Sequence, residues 1–391
     1  MNDFKINFQD TATAFADKSN PELKEKFWLF RMMNSPILTS IGTKATSLFF
    51  DIGLPIKSLV KRTIFHQFCG GETIEECQPT IEKLGASHIG TILDYSVEGK
   101  SAEAVFDSTK CEIIRTVTRA REDDNVPFAV FKITGVARFD ILEKINDGKE
   151  LLKGEAAEWD RARARVDEIC GYAHSLNQPI FIDAEESWIQ DAIDHLATAM
   201  MEKYNQEQPL IYNTLQLYRH DRLAYLKAAH QQAKENNYLL AVKLVRGAYM
   251  EKERMRAEEM NYPSPIQPDK TATDKDYDAA IDYCLDNVEE IAFVAGTHNE
   301  ESVCRLAEKL HQKQIKHNHP HVFFSQLYGM SDNLSYVLAK HDYNVSKYVP
   351  YGAVKDVIPY LIRRAQENTS VTGQVSRELD LIKKELDRRK L

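Results

Sequence analysis

Tyr360, Arg363, Arg364 and Glu367 stand at offsets 0, 3, 4 and 7 near the C-terminal end of the chain. In a helix those offsets form one stripe, and positions that usually carry core leucines here carry a phenol, two guanidinium forks and a carboxylate. The arc beside it is apolar: Val354, Val357, Ile358, Leu361, Ile362 and Ala365. Pro359 is tolerated only near a helix start, which places that start around Asp356 or Val357. Adjacent guanidiniums grip a carboxylate in two-pronged fashion, so the stripe suits a small ligand carrying both a carboxylate and an amine. The alternative is a surface salt-bridge stripe, because Arg364 and Glu367 can pair with each other.

Lys132 and Lys243 interrupt otherwise apolar runs, and a buried lysine is costly unless paired. Asp183, Gln216, Arg246, Thr297, His298, Gln326 and Tyr348 each fall at the end of such a run. Asp183 with Glu185 and Glu186 also admits a carboxylate pair for glycoside chemistry or a divalent metal. The tract His317-Asn318-His319-Pro320-His321 precedes a run, and reads as a solvated loop rather than a metal site. No GxGxxG follows a strand, and GxxxxGK[ST], HExxH and GxSxG are absent, so a Rossmann site, a P-loop, a zinc protease and a serine hydrolase lack support.

The elements that must position these groups repeat in order. Apolar, β-branched or aromatic runs cover 89–96, 128–134, 179–185, 209–218, 239–247, 290–297, 321–329 and 344–352. Helical segments are expected at 103–119, 155–174, 188–203, 219–234, 277–289, 300–316 and 332–341, with the arginine-pair helix last. Eight such units predict an α/β fold, a closed (β/α)8 TIM-like barrel, whose chemistry sits at the strand C-termini. The polar residues collect there. Residues 1–88 read as an N-terminal helical arm, broken at Ser35-Pro36 and Gly53-Pro55; 89–370 form the barrel, and 371–391 a charged amphipathic helix.

A net charge of −9 gives no support to nucleic-acid binding. Six cysteines without a CxxC pair suggest reduced thiols, and none has a clear histidine partner. The first twenty residues contain acids and no arginine, which fits neither a signal nor a transit peptide, and no apolar run reaches the roughly 18 residues of a membrane span. A cytoplasmic protein is expected. The segment 47–65, apolar with basic punctuation, reads as a packed helix pair, with contact to a membrane surface as the alternative.

FIDAEES around Asp183, VKLVRGAYMEKER from Val242, GTHN from Gly296, QLYGMSD from Gln326 and YVPYG…PYLIRRAQEN from Tyr348 together resemble the proline dehydrogenase family, over about residues 85–375. The resemblance implies a distorted barrel that binds FAD at the strand C-termini, oxidises L-proline to 1-pyrroline-5-carboxylate and passes electrons to a membrane quinone. By position, Arg363 and Arg364 clamp the proline carboxylate with Lys132 alongside, and Tyr249, Leu327, Tyr348 and Tyr360 surround the ring. Asp183 is the catalytic aspartate and Lys243 a basic residue beside the flavin, where bacterial relatives often carry arginine. Gln216, Arg246, Gly247, Ala248, Thr297, His298 and Glu367 contact FAD, and Met250 replaces an aromatic residue of some bacterial members. Peripheral membrane contact and a homo-oligomer are compatible with this reading. Two other classes stay open on the residues alone: a Schiff-base aldolase or lyase using Lys132 or Lys243, and a non-catalytic carboxylate-binding barrel.

Overall fold

The computed structural model describes residues 6–33, 64–96, 102–357, 360–361 and 374–391. Eight strands, β1 (Gly90–Tyr95), β2 (Phe128–Lys132), β3 (Ile180–Asp183), β4 (Ile211–Gln216), β5 (Leu240–Val245), β6 (Ile291–Gly296), β7 (Val322–Leu327) and β8 (Val345–Tyr351), close a barrel in sequence order. Every neighbouring pair is parallel, including β8 with β1. Parallel neighbours require a crossover, and the crossover helices bury the outer face, so both faces of each strand are apolar.

Ahead of the barrel lie α1 (Thr11–Ala14), α2 (Asn20–Met33) and α3 (Gln78–Gly85). The crossovers carry α4 (Glu103–Glu122), α5 (Phe139–Asn146), α6 (Lys153–Ser175), α7 (Ser187–Tyr204), α8 (Arg222–Glu235), α9 (Met250–Glu259), α10 (Lys270–Asp286), α11 (Glu300–Gln312) and α12 (Asp332–Lys340); α13 (Gln374–Arg389) closes the chain. Two of these, α5 and α9, had no sequence signal. At eight residues α5 is too short to establish a period. In α9, Glu253 and Ala257 alone are buried, so there is no apolar stripe to read. Helix α10 starts seven residues before the expected Tyr277, because Asp269 caps it by accepting from the Ala272 N–H at 2.8 Å and its first turns are polar.

Two apolar layers follow from strand alternation. Outward side chains such as Ile180, Ile182 and Leu240 join the helices in the main core, while Ile92, Phe128, Val130, Phe181, Tyr212 and Val294 fill the barrel. A third cluster lies outside the barrel, where Leu23 and Phe30 of α2 meet Leu381 and Ile382 of α13. Among the described residues no helix is long and apolar enough to cross a membrane. Most of the segment 47–65 lies outside the described residues. The 317–321 tract lies just before β7, at the N-terminal end of the barrel, with His317 stacked on Tyr343.

Candidate active site

Aromatic rings plug the barrel below its mouth. Phe128 stacks on Phe181 with centroids 4.5 Å apart, and Tyr212 and Phe323 meet Phe128 edge-on. Over this floor, at the strand C-termini, a cavity of about 640 Å³ opens.

Asp183, the last residue of β3, is its hub. Lys132 ends β2 directly opposite in the β2–β3 ladder, with Nζ 3.0 Å from Asp183 Oδ2. Lys243 reaches across from β5 to Asp183 Oδ1. The Tyr348 hydroxyl of β8 donates to Oδ2 at 2.6 Å. The Lys243 ammonium also lies 5.0 Å from the ring centroids of both Phe181 and Tyr348, where the negative ring faces favour a cation. The two lysines that broke apolar runs are therefore paired with the same carboxylate. Burial works against ionisation of Asp183, but Lys243, Lys132 and the hydrogen bonds outweigh it and hold the carboxyl well below the usual carboxylate range. Tyr348 moves the other way: burial and the facing Asp183 raise its hydroxyl well above the usual phenol value.

Glu185 does not join Asp183 in the cavity. The strand ends at Asp183, and Glu185, 3% exposed, turns aside to accept from the backbone N–H of Thr134 at 3.0 Å and from its hydroxyl. Alternation past the strand end would have kept the two acids on one side, so the carboxylate-pair reading of this motif falls. Burial, reinforced by Glu186, pushes the Glu185 carboxyl up to about 8.

Several cavity residues escaped the sequence reading, among them Thr214, Arg377 and, beside Lys132, Asp94. Asp94, buried on β1, lies 3.8 Å from the Lys132 ammonium and accepts from Ser96 Oγ at 2.7 Å. Its signal was the one that flagged the lysines, a charge within an apolar run. Lys347 carried the same signal but points outward, since its neighbour Tyr348 points inward. It is fully buried against Asp332 at 3.0 Å, and Lys26 of α2 holds the same carboxylate at 2.6 Å.

The end of β5 supplies another wall. Arg246 is fixed by Asp274 Oδ1 at 2.7 Å, Thr297 Oγ1 at 2.6 Å and Ser302 Oγ at 2.9 Å, above the Tyr277 ring. Gly247 follows at φ +139°, and a Cβ there would meet the Tyr218 ring at 2.4 Å. The chain thus turns flat against Tyr218 and presents the Ala248 N–H to Gln216 Oε1 at 3.2 Å. Gln216 in turn donates to the Glu185 carbonyl at 2.7 Å. Opposite, Gln326 donates to the Thr297 carbonyl at 3.1 Å. Tyr249, His298, Leu327 and Tyr360 also face the cavity. Arg363, Arg364 and Glu367 lie outside the described residues. Residues 354–357 are helical, ahead of the expected start around Asp356 or Val357, with the Asp356 and Val357 N–H groups donating to the Ala353 carbonyl.

The sequence profile of the family described as Proline dehydrogenase matches residues 77–377. The chain belongs to the proline dehydrogenase family. It is 33% identical over 426 residues to the mitochondrial proline dehydrogenase 1 of Dictyostelium discoideum, covering 97% of this chain and 74% of that one. It is 30% identical to the hydroxyproline dehydrogenase of Xenopus laevis, across 98% of this chain and 90% of the relative. Among solved structures, proline utilization A from Bdellovibrio bacteriovorus superposes with a TM-score of 0.73 at 18% identity, over 96% of this chain but 40% of that one. At that identity the likeness shows the fold alone, and this chain spans about two fifths of the larger protein.

Proposed function

We propose that the protein is a flavin-dependent proline dehydrogenase, oxidising the CH–NH unit of L-proline to 1-pyrroline-5-carboxylate and handing electrons to a membrane quinone. One observation carries the reading: in a chain of this family, a single ionised carboxylate on the cavity floor ties together Lys132, Lys243 and Tyr348 from three strands.

The cavity fits FAD. Its volume lies within the roughly 300–1,000 Å³ of small-molecule sites. The Thr214 hydroxyl on its wall is buried with no hydrogen-bond partner among the described residues, an acceptor and donor available to a ligand atom. Gln216, Arg246, Gly247, Ala248, Thr297 and His298 would hold the cofactor, with Glu367 added on resemblance. When bound, the flavin supplies the acceptor for a hydride from the ring carbon beside nitrogen.

The chain's own residues do the rest. Lys132, pinned by Asp183 and flanked by Asp94, is a fixed cation for the substrate carboxylate; Arg363 and Arg364 complete the clamp by resemblance. Tyr249, Leu327, Tyr348 and Tyr360 enclose the ring and exclude water. A carboxyl held as far down as that of Asp183 is a weak base, so Asp183 acts by orienting its three donors rather than by taking the substrate's proton. The arrangement also weakens the Schiff-base alternative: both lysines pair with Asp183, whereas that nucleophile needs a neutral amine.

Asp183→Asn tests the role of the hub. Proline turnover should fall on the order of 10²-fold, the effect of misplaced groups, in protein that still melts cooperatively. Turnover within twofold of the wild type would remove Asp183 from the mechanism.

A further inference from the structure

Helix α13 lies outside every strand–helix repeat, yet it reaches the cavity. Leu381 and Ile382 anchor it against α2, and a turn earlier Arg377 lines the cavity and pairs with Glu300 in the first turn of α11. Next to it Glu378, 3% exposed, accepts from the backbone N–H of Ser331, in the loop between β7 and α12. Ser331 is left-handed, at φ 50° and ψ 43°, a conformation disfavoured for a residue with a Cβ unless something holds it. Its Oγ lies 2.9 Å from His298 Nδ1. On the other side of the ring, the Leu327 N–H points at Nε2 from 3.4 Å. A backbone N–H only donates, so Nε2 accepts, and the ring proton sits on Nδ1, donating to Ser331.

We propose that Glu378 is a positioning residue: by holding Ser331 in its left-handed turn, it fixes the orientation and tautomer of His298 on the cavity wall. Among the described residues, the charged groups around Glu378 are Lys26, Asp332, Lys347 and Arg377. Both lysines bond Asp332 and Arg377 pairs with Glu300, which leaves Ser331 as the hydrogen-bond partner of Glu378 among the described residues. The proposal rests on the flavoprotein reading for what His298 faces; the relay of contacts behind the ring does not.

Two readouts decide it: imidazole nitrogen NMR shifts of His298, assigned by their loss in His298→Asn, and the dissociation constant for added FAD. The wild type and Glu378→Gln, which keeps an oxygen in place, are expected to show one Nδ1–H tautomer. Glu378→Met and Ser331→Ala should show mixed tautomers and bind FAD roughly three- to tenfold more weakly, the range for one lost hydrogen bond. The double variant should bind no more weakly than Ser331→Ala, because both act along one line. Wild-type imidazole shifts in Glu378→Met, or losses that multiply in the double variant, would overturn the proposal. So would an Nε2–H tautomer in the wild type, which needs no variant to fold. Wild-type protein that binds no FAD would defeat the flavin reading, and the imidazole shifts would still judge the relay.

Discussion

Two acids two residues apart, Asp183 and Glu185, are driven to opposite states by what surrounds them. Asp183 has two ammoniums and a phenol and stays ionised; among the described residues Glu185 has only Thr134 as a hydrogen-bond donor to its carboxyl, and burial dominates. The difference has a consequence for stability. A carboxyl whose folded value is raised from its ordinary 4.5 to about 8 favours the fold while protonated, so its contribution is complete below about 4.5 and is lost as pH rises through 8. Between those limits the native state binds the extra proton, and stability falls with rising pH. Replacing Glu185 with Gln should therefore flatten the wild-type decline in melting temperature between pH 5 and 8. Parallel wild-type and variant curves would show that Glu185 is already ionised in the fold. The lysine positions were legible because a charge inside an apolar run has few explanations. That the two share one partner was not, since Lys132 and Lys243 have two strands and over a hundred residues between them.

At the scale of elements, the strands were readable and their surroundings less so. Near-continuous apolar runs such as that of β6 mark a strand buried on both faces, and eight of them in alternation leave few folds. Helix α9 was hidden because its sequence is almost wholly charged, and the early start of α10 because its first turns are polar. The end of β5 is a tightly constrained turn at the site: Gly247 lies flat on Tyr218 while Arg246 and Ala248 on either side face the cavity. Gly247→Ala should cost about 1–3 kcal/mol through overpacking and the unfavourable φ, and displace both neighbours. Urea denaturation measures the first effect and flavin affinity the second. An unchanged midpoint would mean that the Tyr218 ring moves aside freely.

For the molecule as a whole, α2 and α13 form a layer of their own beside the barrel, joined to each other by an apolar cluster and to the barrel by the buried Lys26–Asp332–Lys347 group. Neither terminal segment announced this contact, because pairing between α2 and α13 depends on burial across more than 340 residues and leaves no local pattern. The barrel, its mouth and that layer converge on one cavity, and the proposed activity depends on what occupies it. Absorbance of the purified protein under anaerobic conditions tests this most directly. Bands of oxidised flavin that bleach when L-proline is added are the expected result. Protein reconstituted with FAD that stays colourless, or a flavin spectrum indifferent to L-proline, would contradict it.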